Sequence, residues 1–184
     1  MNEWSIKKTP TRAVIDRKIT RLGLRSMRYG TLIKLIIVIV LLWGLFTLIF
    51  GITIPRDNSM HPAINEGDLI LYYRLNNSYE AGDVVAYTNN ERQYIGRIAA
   101  VPGEEVQITE DGQLIINGYA QIEENGVLTY PVENGCTYPV NLSENEYFIL
   151  ADARDTGNDS RYFGAVSMDE IDGKVITFLR RRGI

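Results

Sequence analysis

Ser59 is the residue of this 184-residue chain whose type and setting best suit covalent chemistry. It lies in a first block, Asn58 to Asp68, beside Met60, His61 and Pro62. A serine hydroxyl is a weak nucleophile until a neighbouring base takes its proton. His61 is the one histidine and shares a face with Ser59 if the segment is extended. Because a base so close in sequence has difficulty reaching the hydroxyl, we interpret His61 as an exposed side chain and keep it as an alternative base.

Two later blocks combine glycines with charged residues. The second runs from Tyr94 to Glu104, and the third from Ala151 to Gly164. Their candidate site residues are Gly96 and Arg97 in the second block and Gly157, Asp159 and Arg161 in the third. The carboxylates of the third block raise the possibility of calcium, but the stretch lacks the closing glutamate of an EF-hand. We therefore expect an arginine–aspartate network there, with no metal and no cofactor.

A long apolar run precedes these blocks. Residues Leu35 to Thr53 include no charged side chain over nineteen positions. About 20 apolar residues suffice for a helix to cross a bilayer. A cleavable signal would have a shorter apolar core followed by small residues, and a buried helix of a soluble protein is the other alternative. We predict an uncleaved membrane anchor.

Charge is distributed very unevenly along the chain. The overall balance is 19 basic against 23 acidic residues, but residues 1–34 alone hold nine basic and two acidic side chains. The first 34 residues therefore carry +7 and the other 150 carry −11. Positive flanks stay in the cytoplasm, so the acidic remainder is expected outside the cell. Phosphate binding depends on Lys and Arg, which excludes nucleic acid as a partner.

The sequence of the exported part is typical of an antiparallel β domain. Asx-Gly pairs, which favour tight hairpin turns, stand at Asp111, Asn117, Asn125 and Asn134. The predicted strands are Asp68–Leu75, Asp83–Tyr87, Tyr94–Val101, Val106–Ile108, Gln113–Ile116, Tyr147–Leu150 and Lys174–Leu179. The single cysteine, Cys136, excludes an intrachain disulfide and is read as an ordinary cysteine rather than a nucleophile.

The three blocks, in this order after an N-terminal span, resemble the type I signal peptidases, which are membrane-anchored serine endopeptidases. The resemblance implies a mostly β fold, an antiparallel β domain tethered by one N-terminal transmembrane helix. It also implies a serine nucleophile, a lysine base and a substrate bound as an extended strand. Ser59 matches the nucleophile. The other matches are Met60 and Pro62 as groove candidates and Arg97, Asp159 and Arg161 as scaffold residues.

The base required by this resemblance is missing. Gly96 stands at the lysine position, and Gly157 stands where a serine would hydrogen-bond that lysine. Residues 54–184 contain one lysine, Lys174, which lies in a predicted strand and is kept as the second alternative base. The other nine basic residues there are arginines, which are poor general bases because they stay protonated. We expect impaired or absent peptidase activity.

Asp57 is a further departure, in the oxyanion region two residues before Ser59. A carboxylate about 4 Å from a developing oxyanion costs roughly 4 kcal/mol at an effective dielectric near 20. That corresponds to roughly a thousandfold in rate.

Two hypotheses follow. The first is a non-proteolytic assembly factor, similar to the degenerate signal-peptidase-like proteins of Gram-positive pilus assembly, that binds exported precursors or pilins as extended strands. The second is an active signal peptidase with another base. Both place the protein in the cell membrane, in contact with the lipid bilayer, as a basic cytoplasmic segment (1–30), a transmembrane helix (31–53) and an extracellular β domain (54–184). The oligomeric state is left open.

Overall fold

The computed structural model describes residues 10–122 and 127–180, with the backbone alone for residues 10–28. Of these described residues, those up to Thr47 form one compact unit and those from Leu48 onward form another. The first unit consists of helix and the second is built mainly from antiparallel β-strands. The predicted mostly β fold with one apolar N-terminal helix is confirmed.

The helix, α1 (Pro10–Ile49), includes one stretch apolar enough to cross a membrane. This stretch, Tyr29–Ile49, has 21 residues and a mean hydropathy of 2.8, and none of it is buried against the rest of the protein. At 1.5 Å per residue it is about 30 Å long, the thickness of a bilayer core. Most of the predicted basic segment continues the same helix, while residues 1–9 lie outside the described part of the chain.

The helix ends at Ile49 and not at Thr53, as the apolar run had suggested. Residues Phe50–Thr53 form the first strand, β1, which pairs antiparallel with the next strand from Tyr73 to Ile70. The apolar run is continuous in sequence, but its last four residues make inter-strand hydrogen bonds. Ile52 and Thr53 are β-branched, and such residues favour strands.

The strands form two sheets. After β1 they are β2 (Leu69–Tyr73), β3 (Val84–Asn89), β4 (Arg92–Ala100), β5 (Glu105–Ile108), β6 (Leu114–Ile116), β7 (Tyr119–Ala120), β8 (Val140–Asn141), β9 (Glu146–Leu150), β10 (Val166–Ser167) and β11 (Ile171–Leu179). The larger sheet has the order β1-β2-β11-β3-β4-β9-β10, and the smaller β7-β6-β5-β8. A short helix, α2 (Ser160–Phe163), and a 3₁₀ helix (Met168–Glu170) lie between β9 and β11.

The described Asx-Gly pairs differ in what they connect. Asp111-Gly112 lies between β5 and β6, whereas Asn134-Gly135 lies between β7 and β8, which are not paired with each other. Asn117 and Gly118 join β6 to β7 with φ angles of 52° and 79°, the positive values that a tight hairpin requires. Asn125-Gly126 lies outside the described residues. The β3–β4 hairpin has its turn at Asn90 and Glu91, both with positive φ. This turn contains no glycine, so the sequence did not indicate it.

Three buried clusters hold the β domain together. The first lies around Tyr87 and Ile149, and the second packs the smaller sheet against Phe148 and Leu150. The third contains Met60, Ile64, Ile70 and Ile95. Because it joins the block around Ser59 to β2 and β4, burial of these apolar side chains fixes the position of the serine turn.

Candidate functional site

Ser59 lies in a compact turn after β1. The turn is closed by backbone hydrogen bonds from His61 N–H to Asn58 O (3.1 Å) and from Ile64 N–H to Met60 O (2.9 Å). Ser59 O accepts a bond from Ala153 N–H at 2.9 Å, which ties the first block to the third. Met60 is only 2% exposed. It is therefore an anchor of the turn in the third cluster, and lines neither of the two cavities described below.

Asp57 folds back onto the serine turn. Its Oδ1 accepts a hydrogen bond from Ser59 N–H at 3.1 Å, and its Oδ2 lies 3.4 Å from Arg92 Nη2. A backbone N–H beside a serine nucleophile is the type of donor that stabilises an oxyanion. Here the carboxylate of Asp57 already occupies that donor, so the predicted conflict takes the form of a direct contact.

Gly96 lies in the middle of β4, opposite Val85 of β3. A Cβ added at Gly96 would come within 2.5 Å of Ile149 Cγ2 and 3.3 Å of Tyr87 Cε1. Ile149 and Tyr87 are both essentially buried. The space beside position 96 is therefore filled by these two side chains, and a lysine does not fit there without repacking.

Gly157 faces the serine from the third block. A Cβ added there would lie 3.5 Å from Ser59 Cβ but would overlap Ala151 Cβ. Ala151 is 1% exposed, so its methyl group cannot move aside freely. The structure thus places Gly157 next to Ser59 and shows that Ala151 occupies the room that a serine side chain would need.

The three scaffold residues form the expected arginine–aspartate network. Arg97 Nε and Nη2 donate to the two oxygens of Asp152 at 2.9 and 2.8 Å. Arg161 pairs with Asp159 at 2.9 Å, with side chains only 4% and 1% exposed. Asp159 Oδ2 also accepts Ala151 N–H at 3.0 Å. The network therefore fixes the backbone of the third block beside Ser59.

The two alternative bases already have partners. His61 Nδ1 lies 3.0 Å from Asn65 Oδ1 and is exposed. Lys174 Nζ lies 2.6 Å from Asp83 Oδ1. In the larger sheet Lys174 is opposite Val85, which in turn is opposite Gly96. Two strand spacings, about 10 Å, therefore separate Lys174 from the lysine position.

Tyr87 is a site residue that the sequence reasoning missed. Burial raises the pKa of its hydroxyl, and the nearby Asp159, Tyr94 and Asp57 raise it further. The phenol therefore stays protonated and is no general base. In the sequence Tyr87 is only the last residue of a predicted strand. Its contact with position 96 could not be inferred, because that contact depends on how the strands pair.

Two cavities border the blocks. One of about 430 Å³ is lined by Asn58, His61, Asn65, Ala153 and Thr156. The other, of about 620 Å³, includes Pro62, Arg97, Ile98, Asp152 and Arg154 in its lining. Pro62 therefore lines a cavity, whereas Met60 is buried and lines neither.

Two strand edges near Ser59 are unpaired in the described part of the chain. β1 pairs with β2 alone, and residues 92–96 of β4 pair with β3 alone, since β9 pairs only with residues 97–100. A side-chain hydrogen bond joins Thr53 of β1 to Gln93 of β4. We call the space between these two edges the slot.

Comparisons with known proteins identify relatives of this chain. The family described as "Signal peptidase, peptidase S26" matches residues 27–179. "Inactive signal peptidase IA" of Staphylococcus aureus (strain COL) is 28% identical over 162 residues, covering 82% of this chain and 90% of the relative. "Probable signal peptidase I-2" of Synechocystis sp. is 28% identical over 149 residues, covering 74% of this chain and 66% of the relative.

A solved structure is also similar. A crystal structure of a signal peptidase I from Enterococcus faecalis V583 is 26% identical, with a TM-score of 0.42, and the match covers 54% of this chain and 97% of that chain. The family assignment depends on the sequence match, which extends over most of the chain and includes all three blocks. The protein belongs to the signal peptidase family, peptidase S26.

Proposed function

We propose that this protein is a non-proteolytic assembly factor that binds exported precursors or pilins as extended strands at the slot. The observation that carries the proposal is the filled space at Gly96, where Ile149 and Tyr87 stand in place of a base. A serine without a base has too little nucleophilicity for peptide hydrolysis at neutral pH. The relative named as inactive supports the same conclusion.

The unpaired edges support strand binding. An extended peptide adds to an exposed sheet edge through main-chain hydrogen bonds, and its alternate side chains give specificity. Ile52 and Ile54 stand on and just after β1 with 57% and 56% of their surface exposed. Edge strands are usually protected by charge, so exposed isoleucines here favour a surface that a partner covers.

The proposed site can be tested with a charge on the edge. We expect Ile54→Lys to abolish client capture and pilus assembly, because a lysine on an edge opposes strand addition. Ile176→Lys is the matched control, since Ile176 is 55% exposed on β11. Capture is measured by pull-down of exported proteins and by assembly of a pilin in cells. Equal assembly with both variants would contradict the proposal.

A second candidate is an active signal peptidase with another base. It is favoured by the retained Ser59 turn, which is tied to the third block at 2.9 Å. Co-expression with a secretory precursor that carries an Ala-x-Ala site separates the two. Cleavage that disappears with Ser59→Ala would establish the peptidase, whereas unchanged pilus assembly with Ser59→Ala supports the assembly factor.

The proposed location is the cell membrane, with the N-terminal segment in the cytoplasm and the β domain outside. It is supported by the +7 balance of residues 1–34 and the positive-inside rule. The test uses a Cys136→Ser background, which removes the one native thiol. In that background a cysteine introduced at Asn65 is expected to react with a membrane-impermeant maleimide in intact cells, and one introduced at Lys8 is expected to react only after lysis. The reverse labelling pattern would overturn the orientation.

A further inference from the structure

The slot is crossed by side chains of the protein itself. Its two edges are β1 and residues 92–96 of β4, which have no backbone hydrogen bonds to each other in the described chain. Neighbouring strands lie about 4.8 Å apart, so an inserted strand needs edges roughly 10 Å apart. Contacts between long side chains can span a gap of that size without any strand in it.

The first contact is an ion pair between Asp57 and Arg92. The distance is 3.4 Å, and the two side chains are 43% and 53% exposed. The guanidinium of Arg92 also lies over the Tyr94 ring, 5.1 Å from its centroid. Asp57 is held from the other side by Ser59 N–H. Both partners are therefore positioned, although water screens their attraction.

The second contact is the hydrogen bond from Thr53 to Gln93. Gln93 is also held by Asp172 of β11. Its Nε2–H donates a hydrogen bond to Asp172 Oδ2 at 2.6 Å. The same oxygen accepts the Thr88 hydroxyl at 3.0 Å. Four parts of the larger sheet therefore contribute to one polar network that lies across the slot.

We propose that Thr53, Asp57, Arg92, Gln93 and Asp172 form a clasp that keeps the slot closed in the free protein and opens when a client strand enters. This inference rests on the proposed strand-binding function. A site that is open only part of the time binds with an affinity reduced by the open fraction. The clasp therefore lowers client affinity and selects strands whose own contacts replace it. Its opening also releases Asp57 from Arg92.

The test measures peptide affinity of the full chain in detergent micelles. The probe is a fluorescent ten-residue peptide with an Ala-x-Ala motif, and the readout is its dissociation constant by anisotropy. Because each contact is exposed and weak, we expect Arg92→Ala and Gln93→Ala each to bind about two- to fivefold more tightly than wild type. Asp57→Ala combined with Arg92→Ala should gain no more than either alone, since both remove the same ion pair.

Matched controls are available in the chain. Arg74→Ala removes an exposed arginine that contacts Tyr72, and Gln113→Ala removes an exposed glutamine between β5 and β6. Neither should change the affinity. Equal or weaker binding by the Arg92 and Gln93 variants would overturn the clasp while leaving strand binding intact. Failure of wild type and of the combined Arg92→Ala, Gln93→Ala variant to bind would contradict strand binding itself, and the clasp with it.

Discussion

Two parts of the candidate site differ: the ion pairs that support it, called the support, and the positions around Ser59 where a reaction would occur, called the centre. The support, Arg97–Asp152 and Arg161–Asp159, is fully paired, and the second pair is buried. At the centre, by contrast, Gly96 and Gly157 have no side chains, and Asp57 occupies the N–H of Ser59. The support stabilises the fold whether or not chemistry occurs, whereas the centre matters only for catalysis. The described residues therefore keep the ion pairs that hold the third block in place and lack the groups that would activate Ser59.

The largest expected effect is a gain of peptidase activity when the missing groups of the centre are supplied by substitution. Gly96→Lys with Gly157→Ser alone should stay inactive, because the serine would clash with Ala151 and the lysine with Ile149. Adding Ala151→Gly and Ile149→Ala makes room for both. A positioned base contributes about 10²- to 10⁴-fold in rate, so slow cleavage of an Ala-x-Ala peptide is expected by mass spectrometry.

Removal of Asp57 sharpens the same experiment. In the variant with all four changes, Asp57→Ser should raise the cleavage rate by roughly a thousandfold, the effect of taking a charge of the wrong sign from the oxyanion donor. Ser59→Ala in that background is the control and should abolish cleavage. Continued inactivity after Asp57→Ser would show that the geometry of the serine turn, and not only the missing groups, prevents reaction.

The next largest effect concerns the support. We expect Arg161→Ala to lower the free energy of unfolding by about 3–5 kcal/mol, because it leaves the buried carboxylate of Asp159 without its partner. Arg97→Ala should cost less, since Arg97 is 39% exposed. Urea denaturation of the full chain in detergent, followed by tyrosine fluorescence, gives both values. Equal losses of unfolding free energy in the two variants would contradict the expectation that the buried pair, Arg161–Asp159, contributes more than the exposed pair, Arg97–Asp152.

Alkaline pH tests the filled space beside Gly96. Burial raises the pKa of Tyr87 above that of an unfolded tyrosine, near 10. Above pH ~10 the unfolded chain loses this proton while the folded chain keeps it, so stability falls by about 1.4 kcal/mol per pH unit. Stability is unaffected by this group below pH ~10.

Tyr87→Phe removes the titrating group and should make the fall in stability above pH 10 shallower by that slope. Tyr119→Phe is the control, since Tyr119 is 76% exposed and should leave the slope unchanged. Urea midpoints measured at intervals between pH 9 and 11 give the slopes. Parallel curves for wild type and Tyr87→Phe would contradict the assignment.

The smallest effect belongs to Ser59. Ser59→Ala should change the free energy of unfolding by no more than about 0.5 kcal/mol, because no hydrogen bond of its hydroxyl is present among the described residues. Peptide affinity should also stay the same. A large loss of stability would show that the hydroxyl is a structural group.

Much of the fold could be predicted from local sequence. The strands β2, β4 and β9 were placed to within a few residues. In β2 and in the second half of β4 buried residues alternate with less buried ones, whereas β9 is a short run that is buried almost throughout. The end of the helix was misplaced, since hydropathy cannot distinguish Phe50–Thr53 from the span before it. The β3–β4 turn was not identified as such because Asn90 and Glu91 take positive φ without a glycine.

The site shows a similar division. The blocks that carry Ser59, Gly96 and Gly157 could be read directly, because each lies in a short segment. Their neighbours could not. Tyr87 meets position 96 through strand pairing, and Gln93 meets Thr53 from forty residues away. Such contacts depend on sheet register and curvature, which no local pattern specifies.

The methyl group of Ala151 has a consequence for any single substitution at position 157. Because it fills the room beside Gly157, a mutation that restored the serine alone would introduce a clash before it brought any catalytic benefit. The same holds for a lysine at position 96 against Ile149. A substitution at either position alone would therefore lower the stability of the fold without supplying the full set of reacting groups.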